Sequence, residues 1–370
     1  MDITNEVNNF WNSIMERILE TKATDVHFDC RENEVFLRID MTLQLYTTLN
    51  PEVYKAAIFH MFKDQPERKT DLESEKGAAD FAVTIGDMRF RVNVYKSFYG
   101  YDSAVRPLPK KSFSWQQMAL HEKVIDLVLK SRQGLILVTG PTGSGKSSTI
   151  CSMIELLNET YPYKIITAED PIEYMFQKKK ASISQREIGE QCNNFAQALK
   201  SALRQNPNVI FIGEIRDSET AKVAMHAAET GHLVFATLHT KRVFNTISTL
   251  IKMFPIEAQE EVRSAVAGNI VLIMCQRLLP KKGGGIAVAR ETLIQNTASA
   301  NLIKQGKEKG VNNVMISGQG QGMAEWNMVM DKLKKDNIID NHTFESFYDY
   351  SDSLKEMGET KSLVPANIKK

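Results

Sequence analysis

Residues 134–148 read GLILVTGPTGSGKSS. An apolar run of strand length passes straight into a loop with three glycines, a lysine and three serines, and a helical segment follows. This is the full G-x-x-x-x-G-K-S pattern, with a strand before it and a helix behind it. Glycines let backbone N–H groups wrap phosphate oxygens. The lysine reaches the β- and γ-phosphates, and the serine after it offers a hydroxyl to Mg²⁺. Gly140, Pro141, Thr142, Gly143, Ser144, Gly145, Lys146, Ser147 and Ser148 are therefore predicted to hold ATP, with Ser147 on the metal. A glycine-rich turn that merely opens a helix is the alternative, and the strand–loop–helix context disfavours it.

The alternation continues downstream. KIITAE, VIFIGE and HLVFATLHT are three more short apolar runs, with FAQALKSALRQ and SETAKVAMHAAETG as helical segments among them. Strands alternating with helices predict a parallel sheet with crossover helices. Beyond about residue 240 the pattern is mostly helical, broken by PKKGGGIAVARET, a glycine-rich turn into a short strand.

Upstream the pattern is different. Val7, Phe10, Ile14, Ile18 and Leu19 recur at helical spacing and predict an amphipathic helix packed on the protein. Its polar face is not rich in Lys or Arg, which disfavours a membrane-surface helix. DVHFDC and EVFLRIDMTLQLY read as strands, PEVYKAAIFHMF as a helix opened by Pro51, and ADFAVTIGDMRFRVNVYKS as a hairpin turning at Gly86-Asp87. The expected organisation is an α+β domain over 1–106, a linker over 107–117 in the proline-bearing RPLPKKSFSW region, a nucleotide-binding α/β domain with a helical C-terminal part over 118–352, and a polar tail over 353–370.

Composition narrows the function classes. The formal net charge of +1 supplies no basic field, so no nucleic-acid partner is expected. Cys30, Cys151, Cys192 and Cys275 are scattered without a CxxC pair, which argues against a zinc site or disulfide framework and for a reducing compartment. No apolar run approaches the roughly 20 residues of a bilayer span.

Several side chains are candidates for chemistry. TAEDPIEY, Thr167 to Tyr174, clusters Glu169, Asp170 and Glu173 beyond a strand's C-terminal end, the edge where open α/β sheets bind ligands. A carboxylate there can hold a metal-bound water or accept its proton, although a solvated acidic turn has the same composition. In NPNVIFIGEIRD a buried strand ends in Gly213-Glu214 where an aspartate is usual, and Glu214 is placed to orient or deprotonate the attacking water. His232 and His239 flank LVFATL and, seven apart, fall on opposite faces of a regular strand. His239 lies at the C-terminal edge and suits a γ-phosphate sensor, whereas lone histidines are more often structural. Arg89, Arg91 and Arg106 are candidates for charge supplied to a neighbouring subunit, against the plainer reading of solvent-facing arginines on a sheet.

Together these motifs resemble the secretion-superfamily ATPases of type IV pili, type II secretion and some type IV secretion systems, over roughly residues 20–340. LRQNPNVIFIGEIRD is similar to the family's atypical acidic strand, TAEDPIEY to its Asp box and AAETGHLVFATLHT to its His box. Within the superfamily, DVHF and RFRVN resemble the PAS-like N-terminal domain of the PilT-like type IV pilus retraction ATPases, and KKGGGIAVARE, NLIKQGK and GMAEWNMVMDKL resemble their C-terminal region. DotB-like secretion or conjugation ATPases share the compact layout and are the alternative, as is a pilus assembly motor.

The resemblance implies a PAS-like domain followed by a RecA-like P-loop domain, assembled as a homohexameric ring that uses ATP and Mg²⁺. It implies Glu169 and Glu214 as the acids that position water and metal, with Glu214 favoured for water activation, and His232 and His239 as the His-box pair. It also implies that Arg89, Arg91 and Arg106 approach the nucleotide or the ring interface. The implied partner is an inner-membrane pilus platform protein, which would hold the ATPase at the cytoplasmic face of that membrane. Three positions depart from the family pattern. Asn208 replaces an aspartate, Tyr99 stands about where many relatives have an arginine, and Ala300 in ASANLIKQ takes the arginine position of the retraction motif AIRNLIRE.

Overall fold

A computed structural model describes residues 2–39, 42–74, 77–109 and 112–350. The expected polar tail at 353–370, and Lys110 and Lys111 of the expected linker, lie outside the described residues. The chain divides into two units. One comprises Met1–Ser112, Thr167–Lys179 and Ile183–Asn194, and the other Phe113–Ile166, Lys180–Ser182 and Phe195–Lys370.

In the first unit a helix over Ile3–Thr21 is opened by Asp2, whose carboxylate accepts from the Thr4 N–H at 3.1 Å. Val7, Phe10, Trp11, Ile14, Met15 and Ile18 are its buried stripe. Leu19, expected on that stripe, is 64% exposed. At about 100° per residue it lies roughly 110° from the stripe's centre, beyond the buried arc. The helix packs on a sheet of β1 (Asp25–Asp29), β2 (Glu34–Ile39), β3 (Thr42–Thr48), β4 (Ala78–Ile85), β5 (Met88–Lys96) and β6 (Tyr101–Leu108), in the order β3-β2-β1-β6-β5-β4 with antiparallel pairing. Strict alternation on β5 sends Met88, Phe90, Val92 and Val94 inward to Trp11 and Phe28, and Arg89 and Arg91 to the other face.

Two sequence expectations change here. EVFLRIDMTLQLY is two antiparallel strands, β2 and β3, rather than one. A period of two carries no direction, so the pattern reads through the reversal. The proline-bearing stretch begins inside β6, with Pro107 opposite Phe90. Pairing of β6 with β1 involves only Ser103 to Val105, so the missing Pro107 N–H deprives no β1 partner.

The second sheet comprises β7 (Gly134–Thr139), β8 (Lys164–Glu169), β9 (Ser182–Glu187), β10 (Val209–Ile212), β11 (Leu233–Leu238), β12 (Ile270–Pro280) and β13 (Ile286–Ile294), in the order β13-β12-β7-β11-β10-β8-β9. β12, β7, β11 and β10 run parallel, and β7, β10 and β11 are buried along their whole lengths, as a sheet covered on both faces requires. The mostly helical C-terminal part contains more strand than expected. IVLIMCQRLLP forms β12, and β13 returns antiparallel to it from Pro280↔Ile286 to Leu272↔Ile294. The helix Gln259–Asn269 enters β12 with no proline or glycine between them, and a continuous apolar run has no period by which to tell strand from helix.

The C-terminal helices are fastened by one buried guanidinium. Arg242 donates from Nε to Glu291 at 2.9 Å, from Nη2 to Glu325 at 2.7 Å, and from Nη1 to Asp349. Glu291 also accepts the Val243 N–H at 2.6 Å, and Glu325 caps the helix Trp326–Lys335 through the Asn327 N–H at 2.8 Å. Removing the cation would strand buried carboxylates. Arg242→Ala is expected to cost about 3–5 kcal/mol of unfolding free energy in urea titrations. Arg242→Lys is expected to recover less than half of that, because an ammonium lacks the planar fork that meets three acids at once.

Candidate active site

Three neighbouring parallel strands deliver the second unit's chemistry to one edge. β7 ends at Thr139 and β11 at Leu238, in register with each other, and β10 ends at Ile212 opposite Ala236 of β11. The segments that follow carry the nucleotide loop, Glu214 and His239. Gly140, Gly143 and Gly145 have φ of 145°, 76° and 80°, a backbone region that L side chains rarely adopt. A Cβ on Gly140 would also lie 2.2 Å from the Gln276 carbonyl oxygen.

Gly145 caps the helix Lys146–Thr160 with no side-chain bond to its first turn, leaving backbone donors for a ligand. Lys146 folds back to donate to the carbonyls of Gly140 at 3.0 Å and Pro141 at 3.1 Å. Among the described residues the buried Ser144 hydroxyl has no hydrogen-bond partner. Glycines that admit no side chain, uncapped donors, an orphaned hydroxyl and a local ammonium together fit a bound phosphate chain. Ser147 and Ser148 follow in the first turn, both half-buried, and Thr142 is exposed at the loop's crest.

Glu214 accepts from Arg216 Nε at 2.7 Å on one carboxylate oxygen and lies 3.1 Å from His239 Nε2 on the other. Its side chain is 17% exposed, within reach of water. The segment is fixed by Thr237, whose hydroxyl donates to the Gly213 carbonyl at 2.5 Å and whose carbonyl accepts the Ile215 N–H at 3.0 Å. Asp217 caps the next helix, Ser218–Glu229, through the Thr220 N–H at 2.7 Å. Thr237 was not singled out from the sequence; its position inside a strand was the available signal.

His232 is not brought to this edge. It precedes β11, where its Nδ1 lies 3.0 Å from the Ala227 carbonyl at the end of the helix Ser218–Glu229. Six strand residues, about 20 Å at 3.3 Å each, separate the two ends of β11. Asn208 is likewise at the far edge, exchanging two 2.8 Å bonds with the backbone of Lys164.

The first unit holds Glu169 and the three arginines. Glu169 is 3% exposed, accepting from the Thr167 hydroxyl at 2.6 Å and Gln185 Nε2 at 3.3 Å. Burial outweighs these bonds and pushes its carboxyl up to about 7, with Glu173 and Glu187 adding repulsion. Arg89 donates to Glu187 at 2.7 Å and to the Ile172 carbonyl at 3.1 Å. Arg91 meets Asp80 at 3.0 Å, and Arg106, opposite Arg91 in the sheet, meets Asp25 at 2.8 Å. Each arginine therefore has an acidic partner within its own unit. Tyr99 is exposed beyond the end of β5, with the Arg31 guanidinium 5.5 Å from its ring centroid.

Residues 3–360 match the family described as Type II/IV secretion system protein, and the chain belongs to that family. It is 40% identical to the twitching motility protein of Neisseria gonorrhoeae over 262 residues, covering 70% of each chain. It is 38% identical to the type IV pilus retraction ATPase PilT of Pseudomonas aeruginosa over 285 residues, 77% of this chain and 82% of that one. The crystal structure of the pilus retraction motor PilT with bound ADP superposes with a TM-score of 0.84 at 40% identity, covering 93% of this chain and 98% of that one.

The raised Glu169 value has a measurable sign. In the window from 4.5 to about 7 the folded state keeps a proton that the unfolded state releases. Stability from this group is complete below that window and is lost as pH rises through its upper end. Without nucleotide and with EDTA, the wild type is expected to lose up to about 3 kcal/mol more than Glu169→Gln across the window, measured as unfolding free energy against pH.

Proposed function

We propose that this chain is the motor ATPase of type IV pilus retraction. It works as a homohexamer that hydrolyses ATP and passes the movement to an inner-membrane pilus platform protein, so that pilin subunits are withdrawn. The observation that carries the reading is a complete phosphate loop sharing one sheet edge with the Glu214–His239 pair. The chain's relatives, at 38–40% identity, are named for twitching motility and pilus retraction. Among the described residues no helix is long and apolar enough to cross a membrane, and attachment to the cytoplasmic face is assigned to the partner.

Lys146 exchanges its loop carbonyls for phosphate oxygens and neutralises their charge. Glu214 aligns the attacking water and takes its proton, its carboxylate held in orientation by Arg216 on one oxygen and His239 on the other. His239 thereby links the acid to the strand end that senses the phosphate. Mg²⁺ supplies charge neutralisation across the phosphates. Among the described residues no group of three or more His, Cys, Asp or Glu could hold a metal alone. Mg²⁺ sites in phosphoryl transfer draw on one or two carboxylates, a hydroxyl and substrate phosphates, and Ser147 and Glu214 would supply donors of that kind. Arg89, Arg91 and Arg106 are assigned to the nucleotide or ring interface in the hexamer, after release from their acidic partners.

One departure favours a second reading. Ala300 occupies the arginine position of the retraction motif, which leaves an export or conjugation ATPase as the alternative. A deletion strain with excess surface pili and no retraction supports the first reading, and one with lost secretion and normal pili supports the second. In the purified protein, Lys146→Ala is expected to abolish turnover. Glu214→Gln is expected to keep nucleotide binding while phosphate release falls about 10²–10⁴-fold. Wild-type phosphate release by Glu214→Gln would remove it from the catalytic role.

A further inference from the structure

Gln276 is fully buried on β12, one residue beyond Cys275, which is paired with Thr139 of β7. β7 has turned into the nucleotide loop at this level, so β12 continues alongside the loop. The Gln276 main-chain carbonyl occupies the space that keeps Gly140 a glycine. Its side chain does more. The carboxamide nitrogen donates to the Ser144 carbonyl. That nitrogen lies 3.0 Å from where a Cβ on Gly145 would stand. The carboxamide oxygen accepts from the Thr149 hydroxyl at 2.8 Å and from Arg290 Nε at 2.9 Å.

Two donors on the oxygen fix which way the carboxamide points, so its nitrogen must face Ser144. Arg290 sits opposite Gln276 in the β12–β13 register and also donates to the Ala119 carbonyl at 3.3 Å. Its Nη2 is buried and has no hydrogen-bond partner among the described residues. Burial pushes the guanidinium down to about 10, which leaves it charged at neutral pH.

The geometry matters because a trans peptide is planar, with its carbonyl and the following N–H pointing opposite ways. Holding the Ser144 carbonyl against β12 turns the Gly145 N–H away from the sheet and into the loop. Thr149, in the first turn of the helix behind the loop, is held by the same carboxamide. One side chain thus grips the loop on both sides of Gly145.

We propose that Gln276, clamped by Arg290, is a positioning residue for nucleotide phosphates, setting the Ser144–Gly145 peptide so that its N–H faces the ligand. The inference rests on the reading of this loop as the nucleotide site. It adds a determinant that lies about 130 residues downstream of the glycine-rich motif and belongs to a different strand.

The test uses the full-length protein and fluorescently labelled ADP. Gln276→Leu keeps the volume and deletes all three bonds. Labelled ADP is expected to bind it about 10- to 100-fold more weakly, with KM for ATP rising in step and kcat changing by less than about threefold. Gln276→Glu is the sharper variant. It keeps the acceptor for Arg290 and Thr149 but faces the Ser144 carbonyl with a second oxygen, and it is expected to bind no better than Gln276→Leu. Arg290→Gln, which loosens the clamp without touching the loop, is expected to weaken binding about 3- to 10-fold.

In each variant the rise in melting temperature produced by ADP is expected to shrink, whatever the change in the nucleotide-free melting temperature. A merely structural role would lower the nucleotide-free melting temperature and leave that rise intact. Should Gln276→Leu fail to fold, Gln276→Glu and Arg290→Gln decide on the same readouts. ADP binding within twofold of wild type by Gln276→Glu overturns the inference while leaving the nucleotide site standing. A wild type that binds no labelled ADP, or a Lys146→Ala protein that binds it normally, overturns the site and the inference together.

Discussion

The parallel pairing of β7 between β11 and β12 is the constraint from which the nucleotide edge follows. Parallel strands end at the same edge, so one buried sheet places the loop after β7, the histidine after β11 and the acid after β10 side by side. Each strand is nearly all apolar, and its polar residues gather at the point where it stops. The loop's shape then depends on the neighbour that does not stop. β12 runs past the end of β7 and leaves no room for side chains at Gly140. The glycines are as much a record of β12 as of the phosphate they admit.

Two glutamates of the same chemical type occupy contrasting settings. Glu214 keeps partial contact with solvent and is held between the Arg216 guanidinium and the His239 imidazole, which define its orientation. Glu169 is enclosed with neutral hydrogen-bond donors, and burial raises its carboxyl into the neutral range. The two settings suit different tasks, Glu214 to meet water and Glu169 to change charge when its surroundings change.

Much of this organisation was legible in the residues. LILVTGPTGSGKSS carries its strand, loop and helix in order because each obeys a local rule. Glycine tolerates left-handed backbone, short apolar runs become buried strands, and the parallel class follows from their alternation with helices. ADFAVTIGDMRFRVNVYKS announced its hairpin for the same reason, with Gly86 at φ 58°. β12 was not legible, since IVLIMC is apolar without period, and the Gly268-Asn269 stop before it does not say whether a strand or another helix follows. The roles of Gln276 and Arg242 were hidden for another reason. Their farthest partners are 132 and 107 residues away in sequence, and a lone glutamine or arginine has no local pattern that reveals a distant carbonyl or carboxylate. His232 and His239 flank one strand, and the chain direction alone already set His239 at its C-terminal edge.

The Arg242 cluster bears on the order in which the chain can finish folding during synthesis. Its three acids emerge 49, 83 and 107 residues after the arginine. At a synthesis rate of about 5–20 residues per second, the last of them follows by roughly 5–20 s. Until then a full burial site for the guanidinium does not exist, and water must solvate it. The helix that begins at Val243 therefore lacks its finished anchorage while the rest of the sheet is being made. The strand ahead of it can form earlier, but the segment joining the histidine edge to that helix becomes fixed only as the final acids leave the ribosome. In this protein an acid translated 107 residues after Arg242 completes the bond network around it.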